Sequence, residues 1–299
     1  LKYAVMINEK EVSNYKHGVK KYLKKYFVSA SKTNISIVRI AVNQNRIDCA
    51  KKISSELRKL GFMVFLNVMQ ISRCSEIEIE TIAKKVNSWS TIETLYFADS
   101  LGSLNPKEVK NIIFNLKKGW KKDIGFHGHN NCNLAYKNTI SAYKSGCKYL
   151  DATVSGMGRG AGNTEIEKIL NYFYRSFKFL HLKKLIENDF LKLKNKFNWG
   201  SNIYYRLAAQ KNVHPTYVQE MLNKYSHDKY TITSMINYLS KNNGHSYSSD
   251  FSKFIDKNRN TKTEKTKIKN YFKNKDILFL GPGRTVKQNK EMIEKLIKK

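Results

Sequence analysis

Acidic residues are scarce in this chain of 299 residues: 24 Asp and Glu stand against 55 Lys and Arg, for a formal charge of +31. Such an excess ordinarily points to nucleic acid or another anionic surface. Here the lysines spread over nearly every helical stretch and come with abundant Asn, Ile, Tyr and Phe, residue types that share A/T-rich codons. Coding bias is the plainer account, no recognised nucleic-acid module appears, and a nucleic-acid partner is not expected. Long apolar runs are missing too. None approaches the roughly 18 residues that would span a bilayer, and no signal peptide opens the chain, so no membrane partner is expected. Cysteine is sparse: Cys49, Cys74, Cys132 and Cys147 are scattered without CxxC spacing. That suits a reducing cytoplasm better than a disulfide framework. What remains, with 41% hydrophobic residues, is a globular chain long enough for one large domain or two small ones. It begins at Leu1, already inside an apolar run, and the natural N-terminus is expected upstream.

The first 180 residues alternate regularly. Short apolar strands stand at "YAVMI" (3–7), "ISIVRIAV" (35–42), "FMVFLNVM" (62–69), "TLYFA" (94–98), "DIGFH" (123–127) and "YLDATV" (149–154). Between them lie helical stretches such as "DCAKKISSELRKLG" and "NPKEVKNIIFNLKKG", with apolar residues recurring at three and four; Gly61, Gly119 and Gly146 are placed as C-terminal caps. Strand starts lie about 25 to 32 residues apart, the pitch of repeated βα units in a parallel sheet. The fold class is therefore α/β, a partial (β/α)₈ TIM barrel with six visible βα units, with a doubly wound open sheet as the rival.

After residue 180 the rhythm changes. Helical segments follow one another at "IYYRLAAQKNVHPTYVQEMLNKY" (203–225) and "TITSMINYLSKNN" (231–243), with Pro215 starting one of them. The chain closes on "DILFLGPGRTVKQNKEMIEKLIKK", a strand, a turn and a helix. Gly281 and Gly283 there suit either phosphate binding or an ordinary tight turn. The expected organisation is a barrel domain over 1–180, a helical appendage over 181–275, and the opening of a further α/β domain over 276–299.

Histidine is rare as well, seven in all, yet two fall one residue apart in "DIGFHGHNN". Side chains alternate along a strand, so His127 and His129 project from one face. Converging imidazoles suggest a metal site, and hydrogen bonding at a strand end is the plainer alternative. Chemistry in a parallel barrel sits at the carboxyl ends of the strands. Polar residues collect there: Asp99 and Ser100 after the fourth strand, "HGHNN" after the fifth, "GMGRGAGNTEIE" after the sixth. Thr164 and Glu167 are spaced as a helix capping box. Asn163 is then either a neighbour of that cap or a ligand to the site.

Taken together, "NVMQIS", "YFADSLGS", "GFHGHNNCNLAYKNTISAYKSG" and "DATVSGMGRGAGNTEIE" resemble the metal-dependent aldolases and lyases related to hydroxymethylglutaryl-CoA lyase and isopropylmalate synthase. The resemblance is nearest to the 4-hydroxy-2-oxovalerate aldolase branch and runs to about residue 225. It implies a TIM barrel, a divalent ion (Mn²⁺ or Mg²⁺), and cleavage or formation of a carbon–carbon bond beside a 2-oxo acid, with an aldehyde as the second small molecule. It makes His127 and His129 metal ligands, with His127 also against substrate. Ser100 becomes the anchor of the substrate carboxylate, Asn163 a further metal ligand as in the lyase branch, and Tyr204 a wall of the substrate pocket. A partner enzyme or a homo-oligomer is also expected.

Departures accompany the resemblance. The family's first strand carries an Arg-Asp-Gly motif that supplies a third metal ligand and a substrate-binding arginine, and in the aldolases a catalytic base follows. None is present, "YAVMI" looks like the family's third strand, and about two βα units are expected upstream. No catalytic base is assigned here. The glycine loop lacks the cysteine of hydroxymethylglutaryl-CoA lyases and reads "GRGAGN" where isopropylmalate synthases place Gly-Glu-Arg. Both differences favour the aldolase. The rivals are an acyl-CoA-dependent synthase of the isopropylmalate type and a non-catalytic barrel fragment serving as a scaffold.

Overall fold

Period-two alternation runs through every central strand and divides the protein into two layers. In the computed structural model, which describes residues 2–174, 179–225 and 229–248 together with 273, 291 and 294, the elements follow in the order β1 (Tyr3–Asn8), α1 (Glu9–Ser13), α2 (Val19–Tyr26), β2 (Ile35–Asn43), α3 (Ile47–Lys59), β3 (Met63–Met69), α4 (Glu76–Asn87), β4 (Thr94–Asp99), α5 (Pro106–Gly119), β5 (Asp123–Gly128), α6 (Ala135–Lys144), β6 (Tyr149–Leu150) and α7 (Ile166–Phe173). The strands form one parallel sheet in sequential order, β1 to β6. Outward residues such as Val38, Ile40, Leu66, Phe97 and Phe126 pack under the helices as the main core. Inward residues Ile37, Phe65 and Tyr96 form a second, smaller cluster.

The sheet curls into a half-barrel, and one contact measures the curl. Arg39 on β2 forms a bidentate ion pair with Asp151, just past β6, at 3.0 and 2.6 Å. Four strand spacings separate β2 from β6, about 19 Å across a flat sheet. No arginine reaches that far, so the two strands face each other across the arc. The strand β1 ends the sheet, and its Tyr3 and Met6 are each 59% exposed, where the equivalent positions of central strands are covered.

Local chemistry accounts for the helix starts. Ser75 with Glu78 and Asn105 with Glu108 form capping boxes on α4 and α5, the latter with Pro106 in its first turn. Gly61 and Gly146 take the positive φ of C-terminal caps (89° and 93°). Gly119 does not. A Cβ there would stand 2.5 Å from the backbone nitrogen of Lys84, so this glycine serves close packing of α5 on α4.

Two further expectations change. The sixth strand is shorter than 149–154: its ladder covers Tyr149–Leu150, the Asp151 amide adds one bond to Phe126, and Thr153 then pairs with the returning glycine loop at Thr164 and Ile166. That pairing occupies Thr164, so the capping box with Glu167 does not form. The Thr164 hydroxyl shares a hydrogen bond with Thr139, and the Glu167 carboxylate accepts from the Ser155 amide instead. The segment 203–225 holds two helices, α10 (Ile203–Gln210) and α11 (Pro215–Tyr225), the second started by Pro215 as expected, with the break where Asn212 turns left-handed (φ 54°). They follow α8 (Leu180–Leu185), a π-helical turn Ile186–Phe190 and α9 (Leu191–Phe197), and precede α12 (Lys229–Lys241). These helices belong with the sheet to one compact unit, Leu1–Tyr247; Ser248–Lys299 form a second. The turn at Gly281 and Gly283 and the segment 276–299 lie outside the described residues, save for 291 and 294. Among the described residues no helix is long and apolar enough to cross a membrane.

A buried ion pair ties β1 and α1 to the segment after β2. Glu9, 1% exposed, accepts from Arg46 twice at 2.9 Å and from the Ser13 hydroxyl at 2.6 Å. Burial alone would raise its carboxyl pKa, but Arg46 and Ser13 outweigh that and lower it. A carboxyl with a depressed folded pKa stabilises the protein above its unfolded value of about 4.3, and that contribution fades as pH falls toward the folded value. Glu9→Gln is expected to cost about 1 kcal/mol at pH 7, after discounting for solvent at the partly exposed Arg46. The gap between the thermal melts of the two proteins should be constant above the unfolded value of about 4.3 and shrink steadily as pH falls below it; a gap that does not narrow on acidification would contradict the assignment.

Candidate active site

At the carboxyl end of β5, backbone alternation turns His127 and His129 to the same side, and their rings meet edge to face at 4.8 Å between centroids. Each has its Nδ1 engaged. His127 Nδ1 lies 2.8 Å from Asp151 Oδ2, and His129 Nδ1 lies 2.8 Å from the Asp99 carbonyl oxygen. A carbonyl only accepts, so His129 carries its proton on Nδ1 and offers a bare Nε2. An ionised carboxylate imposes the same tautomer on His127. Burial above all, with the neighbouring His127 adding to it, lowers the pKa of His129 to about 3, so it stays neutral and competent as a ligand.

The carboxylate beside His127 is held ionised. Burial raises the pKa of Asp151, yet the hydrogen bonds from His127 and Arg39 outweigh it and bring the group down to about 2. The Arg39 guanidinium lies 4.5 Å from the centre of the Tyr96 ring. Tyr96 fits only because its β5 partner is glycine: a Cβ on Gly125 would fall 2.4 Å from the Tyr96 ring carbons. Asp99 is different. Fully buried, it is pushed up to about 7 by desolvation against the Ser103 and Leu104 amides that bond it. Its carboxyl shapes the turn after β4 while its carbonyl anchors His129.

Ser100 follows directly. It is 9% exposed, and its hydroxyl accepts from the Gln70 amide at 2.9 Å, which leaves its own proton free to donate. Gln70 adopts a left-handed backbone (φ 57°) and donates to the His245 carbonyl. Asn163 pairs with His129 through an isolated antiparallel bridge. Its amide nitrogen donates to the Met157 carbonyl at 3.1 Å, and its Oδ1 is buried without a hydrogen-bond partner. A polar cavity of about 370 Å³ adjoins this loop, with Asn130, Asn163, Ser155, Lys194 and Trp199 among its walls. Tyr204 is half-buried on α10 and shares no hydrogen bond with these residues among those described. Its neighbour Tyr205 is the one packed on the glycine loop, 3.0 Å from where a Cβ on Gly160 would stand.

The fold therefore gathers His127, His129 and Asn163, with Ser100 one residue beyond the carbonyl that holds His129. It adds Arg39, Tyr96 and Asp151, none of which sequence reasoning had assigned. A signal existed: Arg39 is a lone charge at an inward position of the apolar run "ISIVRIAV", and Asp151 opens "DATV".

Two histidines with anchored Nδ1 atoms and free Nε2 atoms are the arrangement that metal-ligating imidazoles adopt, and the orphaned Asn163 Oδ1 is a further oxygen donor. Among the described residues no cluster of three His, Cys, Asp or Glu side chains completes a metal centre. The residues present thus fit part of a divalent-ion site, with oxygen positions left for other ligands.

A half-barrel of parallel βα units with paired imidazoles at its strand ends defines a class of (β/α)-barrel proteins. Residues 19–182, more than half the chain, match the HMGL-like family profile, and the chain belongs to that family. It is 34% identical over 142 residues to the 4-hydroxy-2-oxovalerate aldolase of Geobacillus thermodenitrificans, covering 48% of this chain and 41% of that protein. The same enzyme of Bacillus thuringiensis is also 34% identical, over 141 residues. The chain spans about two fifths of the length of these relatives. Among solved structures, the N-terminal domain of a protein from Bacteroides vulgatus described as an aldolase superposes with a TM-score of 0.64 at 29% identity, covering 79% of this chain and 76% of that one. The carboxyl transferase domain of Rhizobium etli pyruvate carboxylase superposes at 0.61 with 12% identity, over 80% of this chain and 42% of that one, a likeness of fold.

Proposed function

We propose that the full-length protein is a divalent-metal-dependent aldolase that makes or breaks a carbon–carbon bond next to a 2-oxo acid, with a pyruvate-type enolate and an aldehyde as the two halves. The observation that carries this reading is the pair of histidines whose Nδ1 atoms are both anchored and whose Nε2 atoms are free. The likeness to aldolases over the same residues supports the choice of reaction.

His127 and His129 would hold the ion through Nε2 with Asn163 Oδ1 as a further donor, and His127 would also lie against substrate. Mn²⁺ or Mg²⁺ suits a nitrogen and oxygen donor set with open positions. When bound, the ion supplies a Lewis acid for the keto group of the 2-oxo acid. Ser100 donates its free hydroxyl proton to the substrate carboxylate and so orients the keto acid. Tyr204 would line the substrate pocket. The base that takes the proton from the C4 hydroxyl is assigned to none of the described residues. The reading includes a cytoplasmic setting, a barrel domain over 1–180 followed by helices over 181–275 and a further unit over 276–299, and assembly with a partner enzyme or a second copy.

The test is metal content. Full-length protein is expected to bind one Mn²⁺ per barrel. The double variant His127→Ala/His129→Ala should bind none while keeping its fold, with metal affinity suffering far more than stability, because both side chains sit at the mouth of the sheet rather than in the main core. Unchanged stoichiometry in the double variant would overturn the assignment.

A further inference from the structure

The interior of the half-barrel contains one ion pair whose cost needs explaining. Arg39 and Asp151 are both largely shielded, with side-chain exposures of 16% and 23%. Removing two charges from water costs several kcal/mol per ion before their attraction returns it, and apolar residues of similar size commonly do as well for stability. The pair also reaches the site, since Asp151 is hydrogen-bonded to His127.

The geometry points to Arg39 and Asp151 as a positioning pair that fixes His127 in the Nδ1–H tautomer and presents its Nε2 to the ligand site; this rests on the metal reading above. Arg39 meets Asp151 fork to fork, Nη1 on Oδ1 at 3.0 Å and Nη2 on Oδ2 at 2.6 Å. Two parallel bonds fix the plane of the carboxylate, which one bond does not. The guanidinium is itself oriented by the Tyr96 ring beneath it. Oδ2 then receives the His127 Nδ1–H at 2.8 Å. The chain of orientation runs from Tyr96 through Arg39 and Asp151 to the imidazole, and each link restricts one rotation. A carboxylate with Arg39 on both oxygens has only acceptor capacity left for His127. His129 needs no such pair, because the backbone carbonyl of Asp99 performs the same task. That difference supplies an internal control, since no side-chain substitution removes a carbonyl.

Asp151→Asn separates this role from a mere strut across the arc. Arg39 has donors only, so it takes the single oxygen of Asn and turns the amide N–H groups toward His127. An N–H facing Nδ1 demands a lone pair there and moves the imidazole proton to Nε2. Two-bond ¹H–¹⁵N spectra of metal-free, ¹⁵N-histidine-labelled full-length protein read this directly. Wild type should show protonated Nδ1 and bare Nε2 at both His127 and His129. In Asp151→Asn the His127 pattern should invert or become mixed while His129 stays as it was, and Mn²⁺ affinity should fall roughly 10- to 100-fold. If that variant does not fold, Arg39→Lys serves instead: the charge stays but the fork is lost, and His127 should become a tautomer mixture with about 10-fold weaker Mn²⁺ binding. A bare Nδ1 on His127 in wild type overturns the proposal. So does an Asp151→Asn or Arg39→Lys protein with the wild-type tautomer and Mn²⁺ affinity within two-fold. Wild type with the expected tautomers but no Mn²⁺ binding would support the orientation of His127 and overturn the metal reading.

Discussion

The C3 protons of pyruvate are expected to exchange with deuterated water in the presence of the full-length protein and Mn²⁺, and the His127→Ala variant to lose that exchange by about 10²- to 10³-fold, the usual effect of removing a preorganised group from a site of developing charge. Loss of a C3 proton leaves negative charge on the keto oxygen, and this is the difficult step whether or not an aldehyde is present. An aldolase acting beside a 2-oxo acid must stabilise that charge, so exchange reports the reaction class without knowledge of the aldehyde. Ser100→Ala should lower the rate as well, by loosening the carboxylate end of pyruvate. Proton NMR in deuterated buffer is the measurement. A synthase of the isopropylmalate type would draw its nucleophile from acetyl-CoA, and metal-dependent exchange of acetyl-CoA but not pyruvate would move the protein to that class. Exchange of neither would favour a scaffold.

Gly125→Ala should both destabilise the protein and disturb the site, although its side chain grows by a single methyl. The added Cβ would lie 2.4 Å from two Tyr96 ring carbons and 2.5 Å from a third. Tyr96 is 5% exposed, with Arg39 over its face and the Phe65 and Tyr149 rings 6.0 and 6.2 Å away, so it has no open space to enter. Overpacking of this kind costs about 1–3 kcal/mol, and the crowded position argues for the upper end. Chemical denaturation measures the loss. The displaced ring should also release Arg39, so Mn²⁺ binding ought to weaken more than in a core variant of equal instability away from the site. Phe97→Val, buried on the helix side of β4, is a suitable comparison. Stability within 0.5 kcal/mol of wild type in Gly125→Ala would contradict the packing described here.

Much of the fold was legible because βα units announce themselves locally. Apolar runs of strand length, helices with a period near 3.6, and boxes such as Asn105 with Glu108 are written within a few residues of one another. The same locality made His127 and His129 visible, since two residues one apart on any strand share a face. Expectations slipped where a distant segment competed for the same groups. "YLDATV" has the composition of a six-residue strand, yet Thr153 is taken by Thr164 and Ile166 in the returning loop. Thr164 and Glu167 have the spacing of a cap, but Thr139 and Ser155 hold them.

By itself, then, the sequence determined the βα alternation and the placing of His127 and His129 on one face at the carboxyl end of a strand, because these follow from periodicity and from the rule that strand ends carry the loops. Periodicity left a doubly wound sheet open, the family resemblance favoured the barrel, and the curled sheet shows it. Only the tertiary structure decided which nitrogen each histidine offers. For His129 that choice rests on the Asp99 carbonyl; for His127 it rests on Asp151, 24 residues along the chain, and on Arg39, 112 residues before Asp151. They meet because the sheet bends. Curvature is a property of six strands twisting together, and no single strand records where its inward side chains will arrive.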